Sequence, residues 1–130
     1  MPSFSKSSLS KLNTCEYAIQ EWLKNVIMKY DIIVICGYRT AQEQDKAFNE
    51  GFSKVKWPNS KHNIYLSRAV DIAPYPYNKY KNDVAKHYEM AAYALEVASE
   101  MKLSVVWGGN YQIRKVSKLV DLPHFNLKEK

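Results

Sequence analysis

The chain has 130 residues, enough for one compact domain with its own core. Its hydrophobic fraction is 46%, with ten tyrosines and three tryptophans, which excludes a disordered composition. The net charge of +6 favours a polyanionic partner, whether an anionic cell wall, a nucleic acid or an anionic membrane, and does not choose among them.

The chain starts MPSFSKSSLSKLNT, a polar stretch without the apolar centre of a signal peptide. Synthesis in a cytoplasm with no export signal is therefore expected, as is a loosely structured segment over residues 1–12. No apolar run reaches the roughly 18–20 residues that span a bilayer, so no stable membrane insertion is expected. Residues 14–29 carry Ile19, Trp22, Leu23, Val26, Ile27 and Tyr30 at three- and four-residue spacing, which predicts an amphipathic helix. Asn13 or Thr14 can cap it. Asp31 to Cys36 reads DIIVIC, a β-branched run that predicts a buried strand. Thr40 and Glu43 form a capping box for a helix over about 41–50, which Gly51 ends.

Residues 52–68 read as a long loop, a feature often tied to function in a small domain. A short strand is expected over 68–72, ended by Pro74 and Pro76. Asn82 or Asp83 can cap a third helix over 84–102, with Val84, Tyr88, Ala91, Leu95 and Ala98 on one face. Residues 103–107 and 124–127 read as further strands, and Gly108-Gly109 as a turn. The sum is a single α+β domain, a small mainly antiparallel sheet packed with about three helices. Cys15 and Cys36 lack the C-x-x-C spacing of a thiolate metal site and read as free thiols.

Three histidines are present. His87 falls within the third helix beside Asp83 and Glu89 and reads as a surface residue. His62 lies in the long loop, Asp71 near the end of a strand, and His124 in D-L-P-H-F. Two imidazoles and a carboxylate with one open position are a suitable donor set for catalytic zinc, provided the fold brings them together. Asp121 lies three residues before His124, with Pro123 between them, and can serve as a proton acceptor or as a strand-end carboxylate. Arg39 can bind a substrate carboxylate or steady an oxyanion, or stand as a solvated charge. Trp107 reads equally as a pocket wall and as a core residue. The lysines are scattered and no RNA-binding signature appears, so no nucleic-acid partner is expected.

G-Y-R-T (37–40), S-K-H (60–62), S-R-A-V-D-I-A-P-Y-P (67–76), W-G-G (107–109) and D-L-P-H-F (121–125) follow one another in this order. Together they resemble the phage-type L-alanyl-D-glutamate endopeptidases, of the zinc peptidase family that also holds D-alanyl-D-alanine carboxypeptidases and dipeptidases. The resemblance covers about Leu9 to Leu127. It implies one zinc ion held by His62, Asp71 and His124, with Asp121 as general base. Arg39 would bind substrate or stabilise the transition state. Ser60, and less directly Gln44 and Trp107, would hold ligand or substrate.

The family form S-x-H-x-x-G-x-A-x-D differs here, because His62 and Asp71 stand two residues further apart and Ser67 replaces the glycine. Asn110 follows W-G-G where aspartate is usual, and Asn126 follows D-x-P-H-F where glutamate is usual. The resemblance implies a monomeric phage endolysin that acts on the stem peptide and anionic wall after release from the host cytoplasm. A D,D-carboxypeptidase or dipeptidase with the same zinc site, and an inactive wall-binding or virion module, are the alternatives.

Overall fold

The computed structural model describes residues 2–77, 83–109 and 122–128. In chain order these form α1 (Lys6–Leu12), α2 (Tyr17–Ile27), β1 (Ile32–Cys36), α3 (Ala41–Asn49), a 3-10 turn (Lys61–Asn63), β2 (Ala69–Pro74), α4 (Val84–Glu100), β3 (Val105–Trp107) and β4 (His124–Leu127). The strands make one antiparallel sheet in the order β1-β2-β4-β3. The expected α+β class, with a small antiparallel sheet in a single domain, is the observed one. No helix among the described residues is long and apolar enough to cross a membrane.

The core follows from the apolar stripe of α2. Ile19, Trp22, Leu23, Val26 and Ile27 are all buried and meet α4. Trp22 donates its indole N–H to the Ala94 carbonyl at 2.8 Å and meets the Phe125 ring edge-on at 5.5 Å. Small residues at 91, 94 and 98 let α4 come this close.

The N-terminal segment differs from expectation, because Lys6–Leu12 is a helix rather than loose chain. Ser5 caps it by accepting from the Ser8 N–H at 3.1 Å. Ser8 Oγ accepts from the Val34 N–H at 3.0 Å, and Leu12 is fully buried. The serines disguised a helix whose inward positions, 8 and 12, are one turn apart. The following helix then starts at Tyr17 rather than near 14. Asn13 caps the end of α1, and Thr14 Oγ1 accepts from the Tyr38 N–H at 2.8 Å.

The face of α4 also differs. Val84 and Tyr88 are exposed, and the buried stripe is His87, Met90, Ala91, Ala94, Val97 and Ala98. His87 is thus a buried residue, 5% exposed, and not a surface one. Its Nδ1 lies 3.0 Å from the Asp83 carbonyl. Counting the apolar residues alone placed the stripe wrongly, because a histidine and three alanines carry the inward face.

The capping box stands as expected, with Thr40 Oγ1 accepting from the Glu43 N–H at 3.2 Å and Glu43 Oε1 from the Thr40 N–H at 2.9 Å. Gly51 follows α3 at φ 81, a conformation that favours glycine. The β2 strand runs to Pro74, two residues beyond the expected end, and pairs there with Ile32.

Candidate metal centre

Sheet register brings the chemistry together. Asp71 on the inner strand β2 pairs with Cys36 on β1 and with His124 on β4. Paired residues of neighbouring strands share a sheet face, so the three side chains form one row. A register irregularity between Val34 and Cys36 sets the β1 end of that row. His62 comes from the 3-10 turn. Its ring lies 5.2 Å from that of His124, centroid to centroid, at 71°.

His62 Nε2 and His124 Nδ1 each lie 3.2 Å from the same oxygen, Asp71 Oδ1. Ligands at about 2.0–2.1 Å from a tetrahedral zinc are separated by about 3.3 Å, so these spacings fit a shared ion. The other ring nitrogens are engaged. His62 Nδ1–H donates to the Gly37 carbonyl at 2.7 Å, and His124 Nε2–H donates to Asn126 Oδ1 at 2.8 Å. The nitrogens left to face Asp71 are those that a metal would use.

Without a metal, a proton takes its place. Burial opposes the imidazolium of His62, but the Asp71 charge and hydrogen bond outweigh burial and push its pKa up to about 10. Burial likewise raises Asp71, and the His62 charge and the two histidine hydrogen bonds hold it well below the usual carboxylate range. The cluster is therefore built around a positive charge.

Cys36, His62 and Asp71 also offer ligand atoms within 4.8 Å of one another, a possible metal site in itself. Cys36 Sγ, however, is 3.8 Å from His62 Nδ1, the nitrogen already committed to Gly37. The thiol thus flanks the ring edge away from Nε2. Cys36, expected as a free thiol outside the site, pairs opposite Asp71 through sheet register, which composition does not carry. Both cysteines are free thiols. Cys15 is fully buried, and burial pushes its pKa up to about 12. A thiol reagent at pH 8 is expected to modify at most Cys36 in the folded protein and both after denaturation. Rapid modification of both in the folded state would contradict this placement.

Arg39 flanks the carboxylate, with its guanidinium Nη2 3.6 Å from Asp71 Oδ2. Two residues before it, Gly37 passes close to the end of α1, where a Cβ would collide with the Lys11 carbonyl and Thr14 Oγ1. Gln44 is fully buried and holds the arginine. Gln44 Oε1 accepts from Arg39 at 3.0 Å and from Asn63 Nδ2 at 3.2 Å. Its amide donates to Ser53 Oγ at 2.8 Å and the Val55 carbonyl at 2.7 Å. Asn63 also donates to the Arg39 carbonyl at 3.1 Å. This polar network fastens the long loop to α3 and to Arg39.

Ser60 caps the 3-10 turn, accepting from the His62 N–H at 3.1 Å, and so sets the backbone that presents His62. Trp107 is buried and stacks on Phe125 at 6.3 Å. Its indole N–H donates to the Leu122 carbonyl at 2.8 Å, two residues before His124. Asp121 and Asn110 lie outside the described residues. Asn63 was not among the expected site residues, and its adjacency to His62 was the available signal.

A family model described as phage L-alanyl-D-glutamate peptidase matches residues 2–128 of the chain. A crystal structure of the Serratia marcescens L-Ala D-Glu endopeptidase ChiX matches with a TM-score of 0.76 at 21% identity, covering 97% of this chain and 90% of that chain. At that identity the likeness speaks for the fold. No curated protein sequence matches significantly.

Proposed function

We propose that this chain, which belongs to the phage L-alanyl-D-glutamate peptidase family, is a zinc endopeptidase that cuts the stem peptide between L-Ala and D-Glu. It is an enzyme that acts on peptidoglycan. The observation that carries the zinc reading is the convergence of His62 Nε2 and His124 Nδ1 on Asp71 Oδ1, each at 3.2 Å, beside Arg39. These three residues would hold the ion, and two imidazoles with one carboxylate suit zinc.

When bound, zinc supplies Lewis acidity toward water and toward the scissile carbonyl. The protein's groups do the rest. Asp121, three residues before His124 in the chain, takes the proton of the attacking water and returns it to the leaving amine. Arg39 offers its guanidinium to the oxyanion of the tetrahedral intermediate, or to a substrate carboxylate. Gln44, Asn63 and Ser60 keep Arg39 and His62 in place. The donor set lies within one chain, which suits the monomer expected from the sequence.

Mass spectrometry of digested muropeptides tests the bond. The expected products carry newly exposed L-Ala carboxyl ends and D-Glu amino ends. Released D-Ala would assign the site to carboxypeptidase chemistry instead. Intact muropeptides with zinc-loaded protein would make the domain a wall-binding module.

The charge fits a wall enzyme of the endolysin kind, made in the host cytoplasm and acting after release. Residues 51–67, which run through His62, hold Lys54, Lys56 and Lys61 and no acidic residue. All three lysines are exposed. Salt shortens the reach of such charges from about 10 Å at 0.1 M to about 3 Å at 1 M. Turnover of whole cell walls is therefore expected to fall as salt rises, while turnover of a soluble muropeptide changes little. Equal salt dependence for both substrates would remove this role for the charge.

A further inference from the structure

We propose that Asn126 is the positioning residue that decides which nitrogen His124 offers to the metal. The inference rests on the zinc site proposed above. Asn126 stands two residues after His124 on β4, and alternate residues of a strand share a face. It is buried, 3% exposed, so water does not satisfy its amide. Its Nδ2–H donates to the Leu127 carbonyl at 3.1 Å, which fixes the amide's orientation. Oδ1 is thereby turned to His124 Nε2 at 2.8 Å. An acceptor opposite Nε2 demands a proton there, because two buried lone pairs would otherwise face each other.

The consequence reaches the metal site. With the proton on Nε2, a neutral imidazole has its lone pair on Nδ1. That nitrogen lies 3.2 Å from Asp71 Oδ1, on the side where His62 also converges. The Leu127 carbonyl orients the amide, the amide selects the tautomer, and the tautomer places the ligand. The amide does this without adding charge, so Asp71 remains the one anionic group among the three donors. His62 is held in the same way by a neutral acceptor, the Gly37 carbonyl. A neutral acceptor behind an imidazole leaves more of the ion's charge to act on water and substrate than a carboxylate acceptor does.

The test compares Asn126→Leu, which keeps volume and removes the acceptor, with Asn126→Asp, which keeps an acceptor. Zinc affinity is measured on the full chain by competition with a chromophoric chelator. The ring 15N shifts of His124 are read in the zinc-loaded protein. The leucine variant is expected to bind zinc about 10- to 100-fold more weakly. Its His124 should lose the single form with a protonated Nε2. The aspartate variant should recover affinity to within a few-fold of wild type. Should leucine prevent folding, Asn126→Ala removes the acceptor without bulk and is read the same way. Native zinc affinity and unchanged His124 signals in the leucine or alanine variant would overturn the inference and leave the zinc site standing. A wild-type protein that binds no zinc would overturn the zinc site itself, and this inference with it.

Discussion

Asp71→Ala is expected to remove zinc binding and turnover together. The carboxylate is the point on which His62, His124 and Arg39 converge, and it lies on an inner strand of the sheet. Loss of one of three protein ligands leaves two imidazoles, too few to hold the ion against a chelator. The metal-free protein reports the same substitution through its pH dependence. Asp71 is depressed, so its contribution to stability is present above the ordinary aspartate value and is lost as pH falls. His62 is raised to about 10, so its contribution is complete below the ordinary histidine value and is lost as pH rises through about 10. Asp71→Ala should therefore flatten the metal-free stability profile between roughly pH 6.5 and 10. Zinc content by metal analysis and melting temperature against pH check the two halves. A variant that kept stoichiometric zinc would place the ion elsewhere.

Asp121→Ala is expected to behave differently, keeping zinc and losing roughly 100- to 10,000-fold in kcat. The residue supplies a proton-transfer group rather than a ligand in the proposed mechanism. A split between metal content and turnover therefore distinguishes it from Asp71. Near-normal turnover of purified peptidoglycan by Asp121→Ala would assign the proton transfer to another group. Loss of zinc along with activity would make Asp121 a ligand.

Much of the site was legible because the motifs name residue types at the ends of elements. G-Y-R-T ends β1 and opens α3 through the Thr40 cap, and A-V-D lies on β2. The longer spacing between His62 and Asp71 is absorbed by chain between the 3-10 turn and β2, and both side chains still reach one another. What was not legible depends on three-dimensional register. Cys36 opposes Asp71 through a sheet pairing with an irregularity in it, and nothing in DIIVIC marks that. The buried amides of Gln44 and Asn63 belong to a network between a helix and a loop distant in sequence.

The fold shows the same division. The α2 stripe and the Thr40 capping box are local patterns and were readable. The α1 helix owes its place to Ser8 reaching Val34 and to Leu12 reaching the core, contacts 26 residues apart in the first case. On α4, tertiary packing chose a face of alanines and His87 over the more apolar-looking Val84 and Tyr88. Propensity and periodicity are weak guides where small residues permit close helix packing.

X-ray absorption at the zinc edge of the loaded wild-type protein tests the donor set most directly. The expected first shell holds nitrogen and oxygen at about 2.0–2.1 Å, with two imidazoles and no sulfur. A sulfur scatterer at about 2.3 Å would put Cys36 on the metal and contradict the assignment of His62, Asp71 and His124.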